Sequence, residues 1–430
     1  MNQVTTLFHN GLILPNKPNS PPAFFGWLLV RGNRIEDIGM GEPPGKSFDQ
    51  VIDASQRAIL PGFVNAHAHS HSTLTRGSAE GLPLESWLQV IEREQSRMTE
   101  EQAYFGALAT YCEALLSGTT TISDMCIHPI PAIHAANEIG IRAVIAPYVA
   151  QSKTFSPTLT DTERLLERYA SQDQRVRVWV GLHDLESCGD EQVQAGAELA
   201  RHFGVGLHLH CAETRHSVDQ TLRRTGRRPV SQLSNLGALG EHTLLAHCVW
   251  VDEADMRLLF DSGSRVAHCP IANLKLGSGI SPIPEMVSQN IVVALATDGA
   301  KANNNLDMFD VMKSASILHK GVRLDPTILP AEKILALATS AGAETLGVPG
   351  GRLASGLLAD LIMIRLDQIR LQPAVPNTVL TNLVHAAHGT DVDFVMVDGK
   401  VVVKDGRLTS MDQAEILIHM QQASRFLYEA

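Results

Sequence analysis

Between Ala58 and Gly299 the chain lays down eight nearly continuous apolar runs: AILPGFVNAHAH, TTTISDM, RAVIAPYV, VRVWVGLHD, GVGLHLHCA, TLLAHCVW, RVAHCPIA and NIVVALATDG. Runs without polar alternation suit strands covered on both faces, as in a parallel sheet. The stretches between them read as helices. Glu101–Ser117 is apolar at helical spacing and stops at Gly118, a C-terminal cap; Asp190–Phe203 and Asp252–Ser262 repeat the theme. Eight strands alternating with helices predict an α/β chain built as a (β/α)8 barrel, with a doubly wound open sheet as the structural alternative.

The two ends of the chain differ from this middle. FFGWLLVRGNRIEDIG predicts two strands around the turn Arg31-Gly32-Asn33, and ADLIMIRL with DVDFVMVDGKVVVKDGRL predicts strands and a hairpin turning at Asp398-Gly399. Neither end is long enough for a stable sheet alone, so together they form one small β domain with the barrel inserted between them. The expected division is 1–57 for the first part of that domain, 58–350 for the barrel, and 351–430 for the second part and a terminal helix.

Charge and composition narrow the partners. A formal net charge of -11 over 430 residues, with no basic run longer than Arg227-Arg228, disfavours nucleic acid. No apolar run is long enough for a membrane span, and MNQVTTLFHN lacks the blocks of a signal peptide. Six cysteines never come closer than fourteen residues apart, and each sits in or beside an apolar segment. They read as reduced, buried thiols of a cytoplasmic protein.

Functional side chains of such a barrel emerge at the C-terminal ends of its strands. Those ends carry His67 and His69 (strand 1), His183 and Asp184 (strand 4), His208 and His210 with Glu213 beyond (strand 5), His247 (strand 6), His268 (strand 7) and Asp298 (strand 8). A single histidine in a strand is usually a hydrogen-bonded core residue; histidine or aspartate at six strand ends calls for a common cause. Imidazoles with a carboxylate suit zinc and leave one position for water, whose pKa a divalent ion lowers towards neutrality. Glu213, three residues past His210, is placed to shuttle protons, and His247 to orient or deprotonate the water.

These motifs (PGFVNAHAH with TLTRG, SGTTTISDM, HLHCAETR, AHCVWVDE, HCPIANLKLGSGISPIPEM, TDGAKANNNLDMF and GRLASGLLADLIMI) closely resemble the amidohydrolase superfamily over nearly the whole chain, in particular its aminohydrolases. The resemblance implies a distorted (β/α)8 barrel with a β-sandwich made from both termini. It implies metal ligation by His67, His69, His210 and Asp298, proton transfer by Glu213 and His247, with Asp298 serving catalysis as well as the metal, and contact of His183 with a substrate ring nitrogen. Binuclear members carry a carboxylated lysine at the end of strand 4. Here His183 stands there, so one Zn2+ per chain is expected, with Fe2+ as the alternative ion. His71 reads as supporting or exposed, and His208 and His268 as supporting residues.

The expected substrate is a small amino-substituted heteroaromatic, with adenine nucleosides favoured over s-triazines, guanine and pterins. Chloride displacement from a triazine is the second enzymatic reading, and a non-catalytic scaffold the least favoured, since every ligand and proton-transfer position is filled. Substrate contacts are expected from His183, Glu213 and Trp87, and from Glu94 or Gln95, the register at which relatives grip a ribose. Two departures stand out. Strand 4 is followed by Asp184-Leu185-Glu186, so Asp184 or Glu186 either caps the next helix or faces solvent, or accepts hydrogen bonds from an amino-rich substrate. Pro147 occupies strand 3 where relatives that bind a homocysteine carboxylate use arginine. A homo-oligomer is expected, as for many soluble enzymes.

Overall fold

The computed structural model describes residues 3–18, 20–45, 47–151, 156–171 and 174–429. The eight runs form a parallel barrel: Phe63–Ala68, Thr119–Cys126, Arg142–Pro147, a fourth strand in two pieces (Val176–Val178 and Val180–Gly181), Leu207–Cys211, Thr243–His247, Arg265–His268 and Val293–Leu295. The break in the fourth strand divides the barrel into two parallel arcs. Trp179 bridges them, its N–H bonding Ile145 O at 3.0 Å while that of Val180 bonds Gly206 O at 3.0 Å. The ring closes where the Asp298 N–H reaches His67 O at 3.0 Å and the Asn65 side chain exchanges hydrogen bonds with Thr297. That seam holds two proposed metal ligands against each other.

The intervening helices differ from expectation mainly at their starts. Glu100–Leu116 opens on a capping box between Thr99 and Gln102, and Glu253–Ser262 on one between Asp252 and Asp255. The helix expected from Asp190 begins at Leu185, directly after the fourth strand. Gly189 interrupts it with φ 73°, which breaks the helical periodicity that the sequence would otherwise display.

The first run splits at Gly62. Phe63–Ala68 enters the barrel, while Arg57–Pro61 joins a nine-stranded sheet from both termini, pairing with Thr5–Ile13 on one side and Leu361–Arg365 on the other. This sheet has its own apolar core around Phe8, Leu28, Ile59, Met363 and Phe394. The Phe8 and Phe394 rings meet edge to face at 5.6 Å. The terminal helix Gln413–Glu429 returns to the barrel, stacking His419 on Phe105. All six cysteines are buried and unpaired. Among the described residues no helix is long and apolar enough to cross a membrane.

One buried ion pair ties barrel to sheet. The Arg142 guanidinium on the third strand donates twice to Asp360, at 2.7 and 3.2 Å, and once to Asp398. Both Arg142 and Asp360 are 6% exposed. Arg142→Met therefore strands a buried carboxylate, and a stability loss of about 3–5 kcal/mol in urea unfolding is expected. A loss below about 1 kcal/mol would show that the pair does not fasten the two units.

Candidate metal centre and cavity

Each of the three histidines proposed as ligands is oriented by a hydrogen bond at Nδ1. His69 Nδ1 lies 2.7 Å from Met125 O, and His210 Nδ1 lies 2.6 Å from His183 O. A carbonyl oxygen only accepts, so Nδ1 carries the proton in both rings and Nε2 keeps its lone pair. His67 follows the same pattern through a side chain: Nδ1 is 2.9 Å from His208 Nε2, and His208 Nδ1 is 3.2 Å from Ser123 Oγ. His208 thus supports His67 from behind, as expected from sequence.

The free Nε2 atoms of His67 and His69 converge on Asp298, and His67 and His210 also group with His247. His69 Nε2 is 3.2 Å from His210 Nε2 and 3.5 Å from Asp298 Oδ1, and His67 Nε2 is 3.7 Å from that same oxygen. Four ligands at zinc-like bond lengths around a tetrahedral ion would sit about 3.4 Å apart. His67 Nε2 is also a buried nitrogen without a hydrogen-bond partner, which an ion would satisfy. The residues present fit a divalent metal.

Burial sets their charge state. It lowers the imidazole of His69 to about 3 and holds those of His67 and His210 well below their usual value, so these rings are neutral donors. Burial raises the Asp298 carboxyl to about 6. The backbone at the site is strained: His247 has φ 73° and Asp298 φ 65°. Gly299 is required beside Asp298, because a Cβ there would lie 2.4 Å from Ser72 Oγ.

Next to the ligands, Glu213 Oε2 lies 3.8 Å from His247 Nε2, Glu213 Oε1 accepts from Ser278 at 3.2 Å, and His247 Nδ1 meets Asn273 Oδ1 at 2.8 Å. All of this opens into a cavity of about 400 Å³. His183 lies in its wall, with Nδ1 held by Ser187 Oγ at 2.9 Å and the Asp184 carboxylate at 3.2 Å, and its ring stacked on Tyr148. Asp184 caps the following helix through the Ser187 N–H at 2.7 Å and also lines the cavity.

The Amidohydrolase family model matches residues 58–402. The chain belongs to this family. It is 36% identical over 98% of its length to a 5-methylthioadenosine/S-adenosylhomocysteine deaminase of Syntrophomonas wolfei, covering 99% of that protein. It is 36% identical over 91% of its length to a 5'-deoxyadenosine deaminase of Methanothermobacter thermautotrophicus, covering 92% of it. An adenosine deaminase from Xanthomonas campestris with bound zinc superimposes with a TM-score of 0.93 at 26% identity, 99% of each chain covered. A zinc complex of atrazine chlorohydrolase from Arthrobacter aurescens shares the fold, with a TM-score of 0.89 at 23% identity over 97% of this chain and 100% of that one.

Two sequence expectations need correction in this amidohydrolase. Glu94 does not line the cavity. The helix Leu84–Gln95 turns Leu84, Trp87, Leu88, Ile91, Glu92 and Gln95 towards it, and Glu94, on the flank of that face, is engaged by Lys301 and Ser78. His71 is not exposed: it is 4% accessible and lines the cavity. His268 is buried against His319 and stays outside the cavity wall. Sequence reasoning missed Tyr148, which follows the third strand, and Lys301, three residues past Asp298. A lysine inside TDGAKANNN was the available signal.

Proposed function

We propose that this amidohydrolase is a zinc-dependent hydrolytic deaminase of adenine-type nucleosides. The observation that carries the reading is the pairing of Glu213 and His247 beside three converging Nε2 atoms and Asp298, in a cavity large enough for a nucleoside. Relatives named as deaminases of 5'-modified adenosines support the substrate class. His67, His69, His210 and Asp298 would hold the metal, which when bound supplies a water acidified towards neutrality.

The chain's own groups then do the proton work. His247, held by Asn273, accepts a hydrogen bond from the attacking water. Glu213 takes one proton of that water and passes it to the ring nitrogen next to the carbon under attack, which makes that carbon electrophilic; it then carries the water's second proton to the departing amino group, so both protons end on the products. Donation from His183 to another ring nitrogen requires a proton on Nε2 as well as on Nδ1, so His183 would orient the ring as an imidazolium whose charge the Asp184 carboxylate balances. The cavity wall of Trp87, Leu88 and Ile91 keeps bulk water away from the ring face.

Ammonia release from adenosine, 5'-deoxyadenosine, methylthioadenosine, guanine, a pterin and an aminotriazine, with chloride release from a chlorotriazine, tests the reading. Turnover of the nucleosides at least tenfold above the other compounds is expected. Preference for a free base, a pterin or a triazine would overturn it.

A further inference from the structure

The ion pair between Lys301 and Glu94 stands at the cavity and has no part in the proton chemistry above. Lys301 is 1% exposed, yet it belongs to the cavity wall, and its Nζ lies 6.0 Å from the centre of the Trp87 ring. Its pairing with Glu94 crosses from the short helix Ala300–Asn303, after the eighth strand, to the helix Leu84–Gln95. A buried ion pair seldom stabilises more than a well-packed apolar pair would, because both ions lose their water. Stability is therefore a poor reason for placing one here.

The donor count supplies a better one. An ammonium has three N–H groups, and among the described residues Nζ donates to Glu94 alone. The same wall carries His71, 4% exposed, whose Nδ1 is buried without a partner. It also carries Gln95, 6% exposed. Two of the three Nζ N–H groups are thus available to a molecule bound in the cavity. Because Glu94 already neutralises the lysine, the acceptor that suits it is an uncharged oxygen; a free carboxylate or phosphate would call for an unpaired cation.

Resting on the nucleoside reading, we infer that Lys301 is a specificity-determining residue that donates to the hydroxyl oxygens of the substrate's sugar. Glu94 is its positioning residue, holding Nζ towards the cavity. Glu94, one of the two positions that the sequence offered for a sugar contact, thus acts through Lys301.

The test compares kcat/KM for adenosine with that for 2',3'-dideoxyadenosine, whose sugar lacks both secondary hydroxyls. The ratio is taken on one preparation, so partial misfolding cancels. For the parent enzyme a ratio of about 10–100 is expected, the range for a hydrogen bond to a charged donor. In Lys301→Met/Glu94→Gln the ratio should fall to within about threefold of one through a rise in KM for adenosine, with kcat and metal content changed little. Lys301→Gln, which keeps a donor facing Glu94, should give an intermediate ratio. A parent ratio near one, or a ratio that the double substitution leaves unchanged, would overturn the assignment of Lys301. Absence of ammonia release from any nucleoside by the parent, with a free base turned over, would instead overturn the substrate class and this inference with it.

Discussion

Glu213→Gln is expected to bind metal normally and to lose about 10²–10⁴-fold in kcat, the usual worth of a general acid–base group. Glutamine has nearly the same shape and still accepts from the Ser278 hydroxyl, now 3.2 Å from Oε1. It cannot carry a proton between the water side of the cavity, where His247 Nε2 stands 3.8 Å from Oε2, and the leaving group. The His247 ring, held at Nδ1 by Asn273, does not swing into the vacated role. Ammonia release under saturating substrate reads the loss, and elemental analysis reads the metal. Activity within a few-fold of the parent would show that Glu213 does not move the proton. A parallel loss of metal would show instead that its carboxylate helps hold the ion.

Much of this site was legible in the sequence because the barrel makes function periodic. An apolar run marks a strand, the residue that ends it faces the barrel mouth, and histidines stood at those ends. The spacing His67-x-His69 repeated itself as His208-x-His210, and the same alternation that puts His210 in the site puts His208 behind His67. What escaped depended on contacts between distant segments. Lys301 and Glu94 are 207 residues apart, and no local pattern announces that they meet. The register after Trp87 offers Glu94 or Gln95 to the cavity, and packing of that helix turns Gln95 inward and leaves Glu94 on the flank. The burial of His71 follows from the short 3-10 turn Ser70–Thr75, whose six residues are all buried. Asp124, on the second strand, holds that turn by accepting from the Ser70 N–H at 2.9 Å and the Tyr111 hydroxyl at 2.6 Å. The early helix start at Leu185 was hidden by Gly189, which resets the helical phase five residues in.

Loss of the metal should abolish activity altogether, and the residues around it should fall into two grades. Protein purified without added metal is expected to contain close to one equivalent of zinc. Chelation should remove activity, and zinc should restore it. Asp298→Ala removes a carboxylate that lies within 3.7 Å of both His67 Nε2 and His69 Nε2, so it should lower metal content and activity together. His208→Ala removes only the acceptor that fixes His67 Nδ1, and such supporting partners are typically worth about 10–100-fold in metal affinity. With zinc in excess the His208 variant should recover most of its kcat, whereas the Asp298 variant should not. Proton competition gives an independent check. In the metal-free protein burial raises the Asp298 carboxyl to about 6 and lowers the His69 imidazole to about 3, so on acidification the carboxyl takes a proton first. Metal affinity should therefore be flat above pH 6 and fall about tenfold per unit below it, since the ion must displace that proton. Two equivalents of metal at full occupancy, full activity without metal, or an affinity indifferent to pH between 4 and 6 would each contradict a single centre built on His67, His69, His210 and Asp298.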